Sequence, residues 1–256
     1  MRNADALPAC RWLWSGSGDG KPPVRSERAA ATKGPLPMNV RSPMKQHLGV
    51  LCAAIICCGV PAGRAVAGGI TSEGARLAQA LDQTRVEELW PAGVHVSWET
   101  GVPDGKPEKT EGKHTHCSAF VAAAAKRLGV YVLRPPEHGQ VLLANAQYDW
   151  LADEGQARGW EEVQGGRQAQ DLANRGYLVV ATYRNHHDNK PGHIAIVRPS
   201  DKPVREIDAQ GPQITQAGGT NYNSTTLKQG FAGHPAAWTH NEVRYYAHAI
   251  DWTKVP

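Results

Sequence analysis

Cysteine is scarce in this 256-residue chain and gathered at one end: Cys10, Cys52, Cys57 and Cys58 precede residue 68, and Cys117 follows alone. A lone thiol excludes a disulfide framework within residues 68–256 and the paired-cysteine spacings of structural zinc sites. It leaves a buried small hydrophobe, an intermolecular bridge or a reactive thiol. Long apolar runs are missing too. The run Leu48–Val60 falls short of the roughly 20 residues that span a bilayer, and no other stretch reaches that length, so no integral membrane segment is expected. Clustered positive charge is the third absence. Residues 1–67 hold nine Lys/Arg and three Asp/Glu, which leaves 19 bases and 21 acids, a net of −2, in residues 68–256. Those bases are scattered, without the footprint that phosphate-backbone binding requires, so nucleic acid is excluded as an expected partner.

The early residues carry an export pattern. Lys45 precedes Leu48–Val60, and Ala65-Val66-Ala67 puts small residues at −3 and −1 of a cleavage point, as in a secretory signal peptide. Counted from Met44 the leader is 24 residues long, inside the usual range of about 15–30, whereas from Met1 it is 67. The expected organisation is therefore a non-structural upstream extension over 1–43, a signal peptide over 44–67 and a single domain over 68–256. The localisation to expect is periplasmic or extracellular.

Within that domain, Leu77, Leu81, Val86, Leu89 and Trp90 recur at helical spacing between Thr71 and Pro91, and Val94–Trp98 reads as a strand. From Cys117 to Gly129 the Ala-rich segment is the clearest helix, with Lys126 and Arg127 in its last turn and Gly129 as its left-handed stop. Further helices are expected over Val141–Leu151 and near Arg167–Asn174. The period then changes to that of strands: Tyr177–Tyr183 and His193–Arg198 suggest an antiparallel hairpin, with weaker strands at Val204–Ala209, Gln213–Ala217 and Val243–Trp252. Helices followed by strands argue an α+β domain with an antiparallel sheet.

Cys117 falls in the first turn of its helix, where free N–H groups and the positive end of the helix dipole favour a thiolate and supply donors for an oxyanion. A thiol nucleophile needs a proton carrier, and histidine titrates in the right range. Of the ten histidines after Ala67, His193 follows Pro191-Gly192 and begins the run Ile194-Ala195-Ile196-Val197, so its imidazole sits where a rigid strand meets a loop.

Cys117-Ser118-Ala119-Phe120-Val121 opening a helix, then Gly192-His193-Ile194-Ala195-Ile196-Val197 on a strand, resembles the NlpC/P60 group of papain-like cysteine hydrolases and its CHAP relatives over about residues 90–250. The resemblance implies a papain-like core, with the nucleophile's helix packed on an antiparallel β-sheet. It also implies cleavage of amide bonds in the peptide part of bacterial cell walls, through a thioester acyl-enzyme and without a cofactor. A third polar residue on a later strand orients the histidine in that group. Gln216 in Ile214-Thr215-Gln216-Ala217 matches best, with Asp208 and Gln210 as alternatives. The segment His114-Thr115-His116 before the cysteine departs from the group's small or acidic residue, and His193 follows Cys117 by 76 positions, a long interval. Hydrolysis or acyl transfer, and an inhibitor partner, are equally compatible with the pattern.

Two rival readings stand beside this one. His114, His116 and Cys117, completed by His138, His186 or His187, offer metal ligands, although His-x-His-Cys is not a usual structural zinc spacing. The other rival is a non-enzymatic exported module, binding the wall or a partner, in which Cys117 only packs.

Overall fold

In the computed structural model, residues 68–107 and 114–255 are described; the expected extension (1–43) and signal peptide (44–67) lie outside them. Thr71 starts the first helix, α1 (Ser72–Asp82), its hydroxyl accepting from the Gly74 N–H, and Leu77 and Leu81 are buried four residues apart on one face. Val94–Trp98 forms no strand, only an isolated bridge from Val96 to Pro103. Pro103 has no N–H to extend a ladder, and Gly101, at φ 72°, turns the chain back at once.

The helix expected at Cys117 is α2 (Cys117–Arg127). Every residue from Cys117 to Ala125 is buried, which small alanine side chains permit because neighbouring backbones can approach on all sides. Gly129, at φ 71°, ends it in the left-handed region, and the Val130 N–H closes on the Ala125 carbonyl at 2.9 Å. Next come α3 (Leu143–Asp153), β1 (Trp160–Val163) and α4 (Gly165–Asn174). β2 (Leu178–Tyr183) and β3 (His193–Val197) form the expected antiparallel hairpin, with Val180 opposite Ile196 and Tyr183 opposite His193.

Val204–Ala209, expected as a strand, is instead part of a helix, α5 (Val204–Gln210). The Pro203 carbonyl accepts from the Glu206 and Ile207 N–H groups, and Ile207 is the single buried side chain, so the segment has no alternating apolar face to lay on a sheet. β4 (Gln213–Gln216), β5 (Tyr222–Thr226), two short helices α6 (Leu227–Gly230) and α7 (Pro235–Thr239), and β6 (Arg244–His248) complete the chain. The six strands form one sheet in the order β1-β6-β2-β3-β4-β5 with antiparallel neighbours throughout. The domain is α+β. Among the described residues no helix is long and apolar enough to cross a membrane.

Both faces of the central strands are covered. On one, Leu178, Val180, Ile194 and Ile196 pack with α2, Trp90 and Trp160, and Phe120 meets Trp90 edge-on at 5.3 Å. On the other, Val179, Ala181, Ala195 and Val197 pack with Ala169 and Ala173 of α4 and with Leu227 and Phe231. This double burial explains why β2 and β3 read as continuous apolar runs.

Candidate active site

The cysteine's helix is fixed at its N-terminal end by buried polar groups. Gln147 of α3, fully enclosed, donates from Nε2 to the carbonyls of Ser118 (3.2 Å) and Leu133 (2.9 Å). Ahead of α2, His116 Nε2–H donates to the Val94 carbonyl at 2.9 Å, and the Gly93 N–H donates to the His114 carbonyl at 2.9 Å. Cys117 is 3% exposed. Burial pushes its thiol up, against the N–H groups of Ile194, Ser118 and Cys117 itself and the Thr115 side chain, all of which favour the thiolate. The helix terminus thus supplies the expected donors, but desolvation outweighs them and the resting sulfur is protonated at neutral pH. The depressed thiol that the sequence suggests is not what the site holds.

His193 owes its place to Gly192. A Cβ at Gly192 would lie 2.1 Å from the Tyr183 carbonyl oxygen and 2.6 Å from Asn145 Oδ1, so only glycine lets the hairpin close here. Asn145 of α3 organises the loop: its Oδ1 accepts from the Gly192 N–H (2.8 Å) and the Asn185 N–H (3.2 Å), and its Nδ2 donates to the Lys190 carbonyl (2.9 Å). One buried amide from a neighbouring helix therefore sets the strand's entry.

The imidazole meets Gln216, whose Oε1 lies 2.8 Å from His193 Nε2. The amide's orientation follows from its other end: Gln216 Nε2 donates to the Thr220 carbonyl at 3.2 Å, which turns Oε1 to the histidine. An amide oxygen only accepts, so the neutral ring carries its proton on Nε2 and offers the lone pair of Nδ1 as the base. Glycines make room for this amide, since a Cβ at Gly230 would come within 2.6 Å of Gln216 Oε1 and one at Gly218 within 2.9 Å of its Nε2. The ring is clamped by Phe231, edge-on at 4.6 Å, and by His234, stacked at 5.4 Å and 20° between planes. Burial pushes the His193 pKa down, opposed by the Gln216 hydrogen bond. His234 is lowered to about 4, by burial first and by the neighbouring His193 second.

Strand alternation gives this site an unexpected construction. Ile194 and Ile196 face α2, whereas His193 leaves β3 on the opposite face with Ala195 and Val197. Cys117 and His193 thus lie on opposite faces of the sheet, and among the described residues no hydrogen bond or electrostatic contact links the thiol to the imidazole. At the end of the strand the Ile194 N–H favours the Cys117 thiolate, and Thr115, two residues before the cysteine, lines a cavity of about 310 Å³ with His193, Gln216, Tyr222 and His234. Thr115 also borders a second hollow of similar volume with His95, Trp98, Lys106 and Gln140, so open space lies on both sides of the segment that delivers the cysteine.

The alternative orienters lie elsewhere. Asp208 projects from α5 and is held by Arg167, whose Nε and Nη2 donate to its two oxygens at 2.5 and 2.6 Å. Gln210, the last residue of α5, lines a hollow that includes Trp238 but not His193. The histidines of the metal reading are dispersed: His138 Nδ1 bonds to the Gly139 carbonyl and His186 Nε2 to Glu242. Among the described residues no three His, Cys, Asp or Glu side chains are grouped as metal ligands. Sequence reasoning passed over Asn145 and His234. Asn145 lies inside an ordinary helical pattern and gave no signal, whereas His234 stands between Gly233 and Pro235, a setting like that of His193 beside Pro191-Gly192.

No family model matches the chain, and no curated protein matches it.

Proposed function

We propose that the protein is a cysteine hydrolase of amide bonds, with a papain-like, NlpC/P60-type triad of Cys117, His193 and Gln216, acting outside the cytoplasm on the peptide part of bacterial peptidoglycan. The observation that carries this reading is the His193 Nε2–H to Gln216 Oε1 bond, because it leaves Nδ1 as a base at the end of the strand whose next residue, Ile194, packs in the same core cluster as Cys117. With thiol and imidazole both neutral at rest, this mechanism requires the sulfur and Nδ1 to come within hydrogen-bond reach around the end of β3; Nδ1 then takes the proton as sulfur attacks the carbonyl carbon, and backbone N–H groups at the start of α2 hold the oxyanion. His193 then protonates the leaving amine, and a water, giving its proton to Nδ1, hydrolyses the thioester. Gln216 adds no charge, so its part is orientation and tautomer selection.

Amino groups released from purified peptidoglycan by the wild type, Cys117→Ala and His193→Ala proteins test this. Release by the wild type and none by either variant is expected, and release surviving both substitutions sinks the mechanism. The 3% exposure of Cys117 favours a second reading, a non-enzymatic exported module in which the thiol only packs. That reading requires a wild-type protein inert toward every amide substrate and thioester probe.

A further inference from the structure

Beyond the His193 cavity the surface opens into a larger hollow of about 680 Å³, and Gln229 and Ala232 line both. Its walls include Trp238 and Phe231, the amides Gln210 and Gln229, and Thr225. Phe231 is a buried floor, while Trp238 is half-buried and presents part of its indole. Gln210 and Gln229 are exposed and Thr225 is half-buried, and their side chains make no hydrogen bond with another described residue. The one charged lining group, the Lys228 ammonium, sits over one face of the Trp238 ring at 5.7 Å from its centre, where a bound ring would have to displace it or stack on the other face, and no carboxylate lines the hollow. A flat aromatic face with neutral amides and a hydroxyl suits a pyranose ring, whose C–H face stacks while its hydroxyl and acetamido groups bond at the edge. A polyanion would need more than one cation here, and an acyl chain would leave the amides unpaired.

We propose that this hollow is a saccharide subsite, which holds the sugar of a glycopeptide while the attached peptide enters the adjoining His193 cavity. The inference rests on the amide-hydrolase reading for the peptide, and on the hollow's own chemistry for the sugar. Its test avoids catalysis: Cys117→Ala protein is titrated with the peptide-free tetramer of N-acetylglucosamine and binding is followed by calorimetry. Saturable binding is expected, weakened about tenfold by Trp238→Ala, the equivalent of one good stacking contact, and weakened also by the exposed substitution Gln229→Ala. Thermal melts of each variant verify that it is folded. Absence of saturation at millimolar sugar, or equal affinity in the Trp238→Ala protein, overturns the subsite. Binding of an unglycosylated extended peptide there, competing with nothing from the sugar, also overturns it and assigns the β5 edge as a peptide groove. Loss of wall hydrolysis with sugar binding intact would count against the hydrolase reading alone.

Discussion

Acid should destabilise this fold through His234, and the size of the effect follows from its surroundings. The folded ring has a pKa of about 4 because burial and the adjacent His193 disfavour its charge, while an unfolded histidine titrates near 6.5. Between those values the unfolded chain binds a proton that the folded chain refuses. Stability is therefore complete above about pH 6.5, falls as pH drops toward 4, and changes no further from this group below that. At pH 5 the unscreened loss relative to pH 7 is about 2 kcal/mol, and solvent at the ring's open edge trims it to between about 1 and 2. Burial also lowers His193, which adds a loss of the same sign. Urea unfolding at pH 7, 6 and 5 on the wild type and on His234→Phe measures this. Phenylalanine keeps a ring against His193 and Tyr183 but cannot titrate, and it removes the repulsion on the His193 imidazolium. The ion pairs elsewhere, such as His186 with Glu242, are common to both proteins and cancel. The wild type should lose about 1–2 kcal/mol more than the variant between pH 7 and pH 5; parallel losses would refute the assignment of a buried, neutral His234.

Gln216→Leu keeps the shape of the side chain but leaves His193 Nε2–H without an acceptor, and kcat on a wall-peptide substrate should fall by about 10- to 100-fold. Gln216→Glu places a carboxylate on the imidazole, so the acidic limb of the kcat/KM profile should move to higher pH; an unmoved limb excludes His193 as the titrating base. Gly192→Ala drives a methyl into the Tyr183 carbonyl and Asn145, and chemical denaturation should show a loss of more than about 2 kcal/mol together with lost activity. Asn145→Ala deprives the Gly192 and Asn185 N–H groups of their acceptor, with an expected cost of about 2 kcal/mol and faster amide exchange across 184–192.

The parts of this architecture written in local sequence were readable, and those set by distant partners were not. α2 announced itself through alanine content and Gly129, and the β2–β3 hairpin through two apolar runs around a polar loop, because each signal lies within one element. β1, Trp160-Glu-Glu-Val163, buries only its two ends, and β5, Tyr222-Asn-Ser-Thr-Thr226, is a polar edge strand, so neither carries an alternation to detect. The strand expected at α5 rested on the β-branched Val204 and Ile207 in a short span; their i, i+3 spacing suits a helix, and the Pro203 start decides it. At the site, Gln216 fitted the pattern of an apolar strand with one polar member, and its amide does lie on His193. Asn145 acts from 47 residues away along the chain, and no local rule reaches that far. The thiol's state was likewise hidden. A helix terminus is visible in sequence, but the depth of burial that opposes it emerges only when α2 meets β3.

That burial bears on chemical endurance. Peroxides and other soluble oxidants attack the thiolate, and the sulfenic product survives or is repaired only where a second thiol can trap it. Residues 68–256 offer no second cysteine. A lone sulfur kept protonated beneath the surface has little to react with until a carbonyl is seated against it, so an enzyme proposed to work outside the cytoplasm can carry an unpaired cysteine with no disulfide to shelter it.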